Sequence, residues 1–187
     1  MMIKWKLLDE EYEFIKGEVI HLFVNYKIKC IPVSGFELAA KMGVTLIPYS
    51  VLSKKKLNAA LEESKDGFYV EEFGVEIIYY NDMDKNYKRI NMTILHEIGH
   101  CVLDHTGHSD QEEDEANFFA KYAIAPPVLI DRIGADSPEA IYDAFDISYQ
   151  AAIYAYEYYL AWKRRHERIG IYTEYEKSLL AWYQKVA

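Results

Sequence analysis

The stretch Thr93–His105, "TILHEIGHCVLDH", contains His-Glu-x-x-His, and its reading as a helix sets the middle of the fold. On a helix, residues four apart lie one above the other on one face, so the imidazoles of His96 and His100 can converge on a single ion. Glu97 projects about 100° round the helix from His96, where it can reach a water at the metal without being a ligand. The spacing therefore predicts a Zn2+ site with Glu97 as general base. Two imidazoles are one ligand short of a catalytic zinc site, which takes three protein ligands and leaves a fourth position for water.

Outward from this helix the signals divide. Before it, Tyr12, Ile15, Val19, Leu22, Phe23 and Tyr26 recur at helical spacing and predict an amphipathic helix over about 9–28. "GFELAAKM" reads as a short helix closed by Gly43, and "VTLIPY" as a strand ending at Pro48. Another helix is expected at about 51–62. "FYVEE" and "VEIIYYN" read as a hairpin turning at Phe73-Gly74. From Asn91 onward the signals are helical, with Asn91 as N-cap of the metal helix. Further helices are expected at about 110–124, stopped by Pro126-Pro127, at 138–145, and at 149–166 behind Ser148. Thr173 and Glu176 form a capping box for a last helix. The predicted fold class is α+β, a helix-rich single domain over 1–187 with a small three-stranded sheet, a zincin-like active-site helix and a helical C-terminal part from about 138.

Composition narrows the function classes. The chain has 187 residues, is 51% apolar and carries a net charge of -9, enough to bury one substantial core. That acidity disfavours unaided binding to a phosphate backbone. The N-terminal "MMIKWKLLDEEYEF" turns charged before a secretory apolar segment can form, and no run approaches the length of a membrane span. We expect a soluble, cytoplasmic protein with no membrane or direct nucleic-acid partner. Two cysteines, Cys30 and Cys101, are too few for a disulfide scaffold and read as buried thiols.

The third ligand has several candidates. A metzincin is excluded, because Leu103 and Thr106 stand where its glycine and third histidine belong. His105, still on the helix, would be rotated about 140° from His100, so His105 and His108 read as surface histidines near a helix end. That leaves Glu112, Glu113, Asp114 and Glu115 in "SDQEEDEANFFAKYAIAPP". An acidic first turn is favoured by the helix dipole whatever its role. Phe119 and Tyr122 place both Glu115 and Glu112 on the stripe expected to face the core, and Glu115, deeper in the helix, is preferred with Glu112 second.

"HEIGHCVLDH" followed by "EEDEANFFAKYAIAPP" resembles the ImmA/IrrE family of metallopeptidases, which couples His-Glu-x-x-His to a Glu-Ala-Asn-x-Phe-Ala segment ending in proline. The likeness extends to "IPVSGFELAAKMGVTLIPY", "FGVEIIYYND" and "YDAFDISYQAAIYA", covering roughly residues 30 to 160. Ala123-Ile124-Ala125 stands where the family commonly has Leu-Leu-Met. The resemblance implies a zinc endopeptidase with His96, His100 and Glu115 as ligands and Glu97 as base. It further implies a protein substrate of the helix-turn-helix repressor type, from a mobile element or stress regulon, and allows for an activating protein partner. The alternative is a helix-turn-helix-like DNA-binding regulator with a structural metal site. "FELAAKMGVTLIPYSVL" and "AIYDAFDISYQAAIYA" have that cadence, the second being followed by Lys163, Arg164 and Arg165.

Overall fold

A computed structural model describes residues 7–29, 31–83, 85–107 and 109–186, so Cys30 and His108 lie outside the described residues. The architecture is α+β and helix-rich, with one three-stranded mixed sheet among the described residues. Residue contacts gather into two compact units: Ser34–Ala120, and the chain up to Val33 together with Lys121 onward. No linker marks either crossing in the sequence, because the second unit is assembled from both flanks of the first.

Helix α1 (Asp9–Asn25) belongs to the other unit, and the Ser34–Ala120 unit contains helix α2 (Gly35–Met42), strand β1 (Thr45–Pro48) and helix α3 (Lys54–Glu63). Strands β2 (Gly67–Glu72) and β3 (Val75–Tyr80) and helix α4 (Tyr87–Val102) follow, then helix α5 (Asp110–Ile124) as far as Ala120. Phe73 and Gly74 both have positive φ, 53° and 75°, the pairing a two-residue type I′ hairpin needs. The strand order is β1-β3-β2, with β1 parallel and β2 antiparallel to β3. The strand "VEIIYY" is therefore central, with Ile78 fully buried, and the free edges belong to β1 and β2. "FELAAKMGVTLIPYSVL" folds as a helix followed by a strand and a 3-10 turn, so its helix-turn-helix reading is lost.

Asn91 does not cap the metal helix. Asn86 does, accepting from the Arg89 amide, so the helix starts five residues earlier than a cap at Asn91 would allow. Asn91 sits buried in its interior and accepts a 2.7 Å hydrogen bond from the Gly35 amide at the start of α2. It satisfies a helix N-terminus belonging to another element. α4 packs against α2 and the sheet with Ile94, Leu95 and Ile98, all fully buried.

The other unit is helical: α1 (Asp9–Asn25), α6 (Pro127–Ile133), α7 (Pro138–Phe145), α8 (Tyr149–Ile169) and α9 (Glu174–Val186). α6 is not visible as a helix in the sequence, where Pro126-Pro127 reads only as a stop. Pro127 is its first residue, a position where the missing N–H would have had no helical partner in any case. α1 and α9 pack together, with the Tyr175 hydroxyl donating to Glu13 and the Trp182 indole donating to the Ile28 carbonyl. The α8 tyrosines mostly pack: Tyr159 is buried and donates to Asp131, and Tyr158 meets Tyr122 edge-on. Among the described residues no helix is long and apolar enough to cross a membrane.

Candidate metal centre

α4 presents His96 and His100 on one face, one turn apart, with their Nε2 atoms 3.1 Å from each other. α5 adds a carboxylate, and it is that of Glu113. Its two oxygens stand 3.4 Å from His96 Nε2 and 3.4 Å from His100 Nε2. Zinc bonds of about 2.0–2.1 Å to nitrogen and oxygen give tetrahedral ligand edges of about 3.3–3.4 Å, so the spacing and the donor types both suit that ion. His96, His100 and Glu113 form a group that could hold a metal ion.

The approach of α5 explains why Glu113 arrives there. A Cβ on Gly99 would stand 3.2 Å from the Ala116 Cα and 3.2 Å from the Phe119 Cβ, so the helices touch where both residues are small. Glu113 lies one turn before Ala116 on that contact face, and Asn117, one turn after Glu113, hydrogen-bonds the His96 ring. The Asn117 amide also donates to the Glu113 carbonyl.

The carboxylates that spacing preferred are turned elsewhere. Glu115 accepts from Gln111 and pairs with His105 Nε2 at 2.8 Å. Glu112 caps its own helix, accepting from the amides of Thr106, Gly107 and Ser109 and from the Ser109 hydroxyl. These donors hold its carboxyl well below the usual range, the Ser109 amide and hydroxyl first. Phe119 lies on the line along which α4 meets α5, as its approach to Gly99 shows, but the wide buried stripe that it marks with Tyr122 does not tell which acidic residue follows that line. The readable signal was the glycine inside His-Glu-Ile-Gly-His, together with Ala116.

His105 is not a surface residue either, since its side chain is only 5% exposed. The helix ends at Val102, and Asp104 adopts a left-handed φ of 56°. The His105 amide then bonds back to the His100 carbonyl and the Asp104 amide to that of Cys101, which is the Schellman arrangement. This turn takes His105 off the helical path, so its expected rotation from His100 does not apply. Its Nδ1 lies 2.9 Å from His100 Nδ1, on the side of that ring away from Glu113.

Glu97 is 6% exposed, stands outside the ligand set and accepts from the main-chain amide of Tyr69. Burial first, and the Glu113 charge second, push it up to about 8. Burial likewise lowers the proton affinity of His96, assisted by His105 and opposed by Glu113 and Asn117. Lone pairs free of protons are what a cation requires. Cys101 takes no part. Its thiol is half-buried, and burial and the neighbouring Glu76 push it up to about 12.

No protein-family model, curated protein or solved structure matches the chain.

Proposed function

We propose that the protein is a cytoplasmic zinc-dependent endopeptidase, with His96, His100 and Glu113 as metal ligands and Glu97 as general base. The observation supporting it best is the convergence of two imidazoles and a carboxylate at tetrahedral spacing, beside a buried carboxyl outside the set. Zinc, when bound, supplies Lewis-acid polarisation of a peptide carbonyl and acidifies a water. Glu97 accepts that water's proton and delivers it to the departing amine. Its raised proton affinity suits the second task, while a cation at the ligand set draws it back toward the first. The Tyr69 amide fixes the carboxyl's direction.

β2 supplies the surface for an extended substrate. The Asn81 amide donates to the Asp66 carbonyl, and the register places Gly67 opposite Tyr80. Main-chain groups of Phe68 and Val70 therefore face β3, while those of Gly67, Tyr69 and Glu71 face the free edge. Tyr69, by donating to Glu97, places this edge beside the base. The Gly67 amide already donates to Ser64 and the Tyr69 amide to Glu97, so a substrate strand pairing there is held through the carbonyls of that edge and the Glu71 amide. A helix-turn-helix repressor is the substrate class to try first, on the sequence resemblance above, with and without an activating protein.

The test is incubation of zinc-loaded wild type and Glu97→Gln with such a repressor, followed by mass spectrometry of the fragments. Glutamine keeps the size of the side chain but cannot take the proton, so cleavage should fall by about 10²–10⁴-fold with zinc still bound. Equal cleavage by both proteins would refute the role of Glu97. Salt-sensitive operator binding without cleavage by either would favour the DNA-binding alternative.

A further inference from the structure

His100 has two ring nitrogens, and both are occupied. Its Nε2 faces Glu113 and His96, and its Nδ1 faces His105 Nδ1 at 2.9 Å. His105 Nε2 in turn faces Glu115 Oε2 at 2.8 Å, and Gln111 holds the other Glu115 oxygen at 3.0 Å. We propose that His105 and Glu115 are positioning residues that work in series, fixing the tautomer and the ring plane of His100 for the metal. This rests on the metal reading above.

Valence dictates every link. A neutral imidazole that offers its Nε2 lone pair to a cation carries its proton on Nδ1. That proton needs an acceptor, and His105 Nδ1 stands 2.9 Å from the nitrogen that carries it. His105 can accept there only if its own proton sits on Nε2, where a carboxylate receives it. The reverse assignment would leave a carboxylate facing a lone pair. Glu115 thus determines the proton position on a ring it does not touch, through an intervening histidine. Metal-bound histidines generally donate their second N–H to a carboxylate or carbonyl directly.

Local structure makes the series rigid. The Schellman turn at Asp104 holds the His105 main chain to the His100 carbonyl by a 3.0 Å bond. The position that often carries an apolar contact in this motif instead carries the His105 ring, packed at 5.0 Å and 71° against His100. The same segment therefore ends the helix and orients its last ligand.

Zinc competition with a chromophoric chelator tests this on the full chain, by affinity and not by turnover. His105→Ala and Glu115→Ala should each weaken zinc by about 10–100-fold, the usual effect of losing such a partner. Because the two act in series, the double variant should be no weaker than either single one. Glu115→Gln, whose amide oxygen still accepts from His105 Nε2, should bind within about threefold of wild type. Circular dichroism checks the fold. If His105→Ala does not fold, Glu115→Ala against Glu115→Gln carries the same decision, since position 115 is near the surface and the glutamine retains the acceptor. Loss of affinity in Glu115→Ala but not in His105→Ala would overturn the proposal and make Glu115 a direct ligand. Additive losses, or no loss in any variant, would overturn it as well. A wild type that takes up no zinc would refute the metal reading itself, and it shows in the first titration.

Discussion

Gly99 lies against Ala116 so closely that a Cβ on the glycine would stand 3.2 Å from the Ala116 Cα. The atom it would meet belongs to the backbone of α5, which cannot swing aside as a flexible side chain can. A methyl group there moves the helix that carries Glu113. Gly99→Ala should lower stability by about 1–3 kcal/mol, the typical effect of overpacking, and should also weaken zinc binding. Thermal denaturation and a zinc titration read the two effects. A stable variant with unchanged affinity would show that the helix contact does not place the ligand.

Glu112 and Glu113 are neighbours in sequence with different tasks. Glu113→Ala should remove most of the zinc affinity and leave the metal-free melting temperature nearly unchanged, because its carboxylate is part-exposed and faces the two histidines. Glu112→Ala should do the opposite, since its carboxylate satisfies amides of the turn before α5. Zinc loss in Glu112→Ala equal to that in Glu113→Ala would contradict the assignment.

Asn91→Ala leaves the Gly35 amide without its 2.7 Å acceptor in a buried position. An orphaned buried donor costs about 1–3 kcal/mol. Urea denaturation of the metal-free protein should show a loss of that size, and a loss below about 0.5 kcal/mol would show that water reaches the site.

Glu13 gives an acid-side prediction. Burial works to raise its pKa, but Lys16, the Tyr175 hydroxyl and Arg165 together outweigh that and leave it lowered. A carboxylate depressed in the folded state contributes stability above its unfolded pKa, and the contribution is lost as pH falls through the folded value. Melting temperature should therefore decline on the acid side, below the ordinary carboxylate range, and Glu13→Gln should flatten that limb. An unchanged slope in the variant would remove Glu13 from the account.

Much of the fold was legible because local chemistry dictates it. Ser148 and the Thr173–Glu176 box announce helix starts, and Gly43 ends a helix at a left-handed φ. His96, Glu97 and His100 were legible as well, since one helical turn fixes their relation. The remainder depended on contacts between elements. Periodicity told which side of α5 is apolar, but not the angle at which α4 crosses it, so Glu115 and Glu112 were preferred to Glu113. His105 was judged on a helix that had already ended, because the left-handed residue there is an aspartate and not the glycine that would have signalled it. Asn91 looked like a cap for its own helix and is an acceptor for another.

The discontinuous make-up of the helical unit sets an order of events during synthesis. α1 leaves the ribosome before the Ser34–Ala120 unit, yet two of its unit's anchoring hydrogen bonds, Tyr175 to Glu13 and Trp182 to the Ile28 carbonyl, come from α9, which follows that unit. Between them passes all of Ser34–Ala120, with every proposed ligand and the base. The sequence of the candidate site is thus complete while α1 still awaits α9, and a nascent chain stalled after α5 would carry every proposed ligand before those two hydrogen bonds can form.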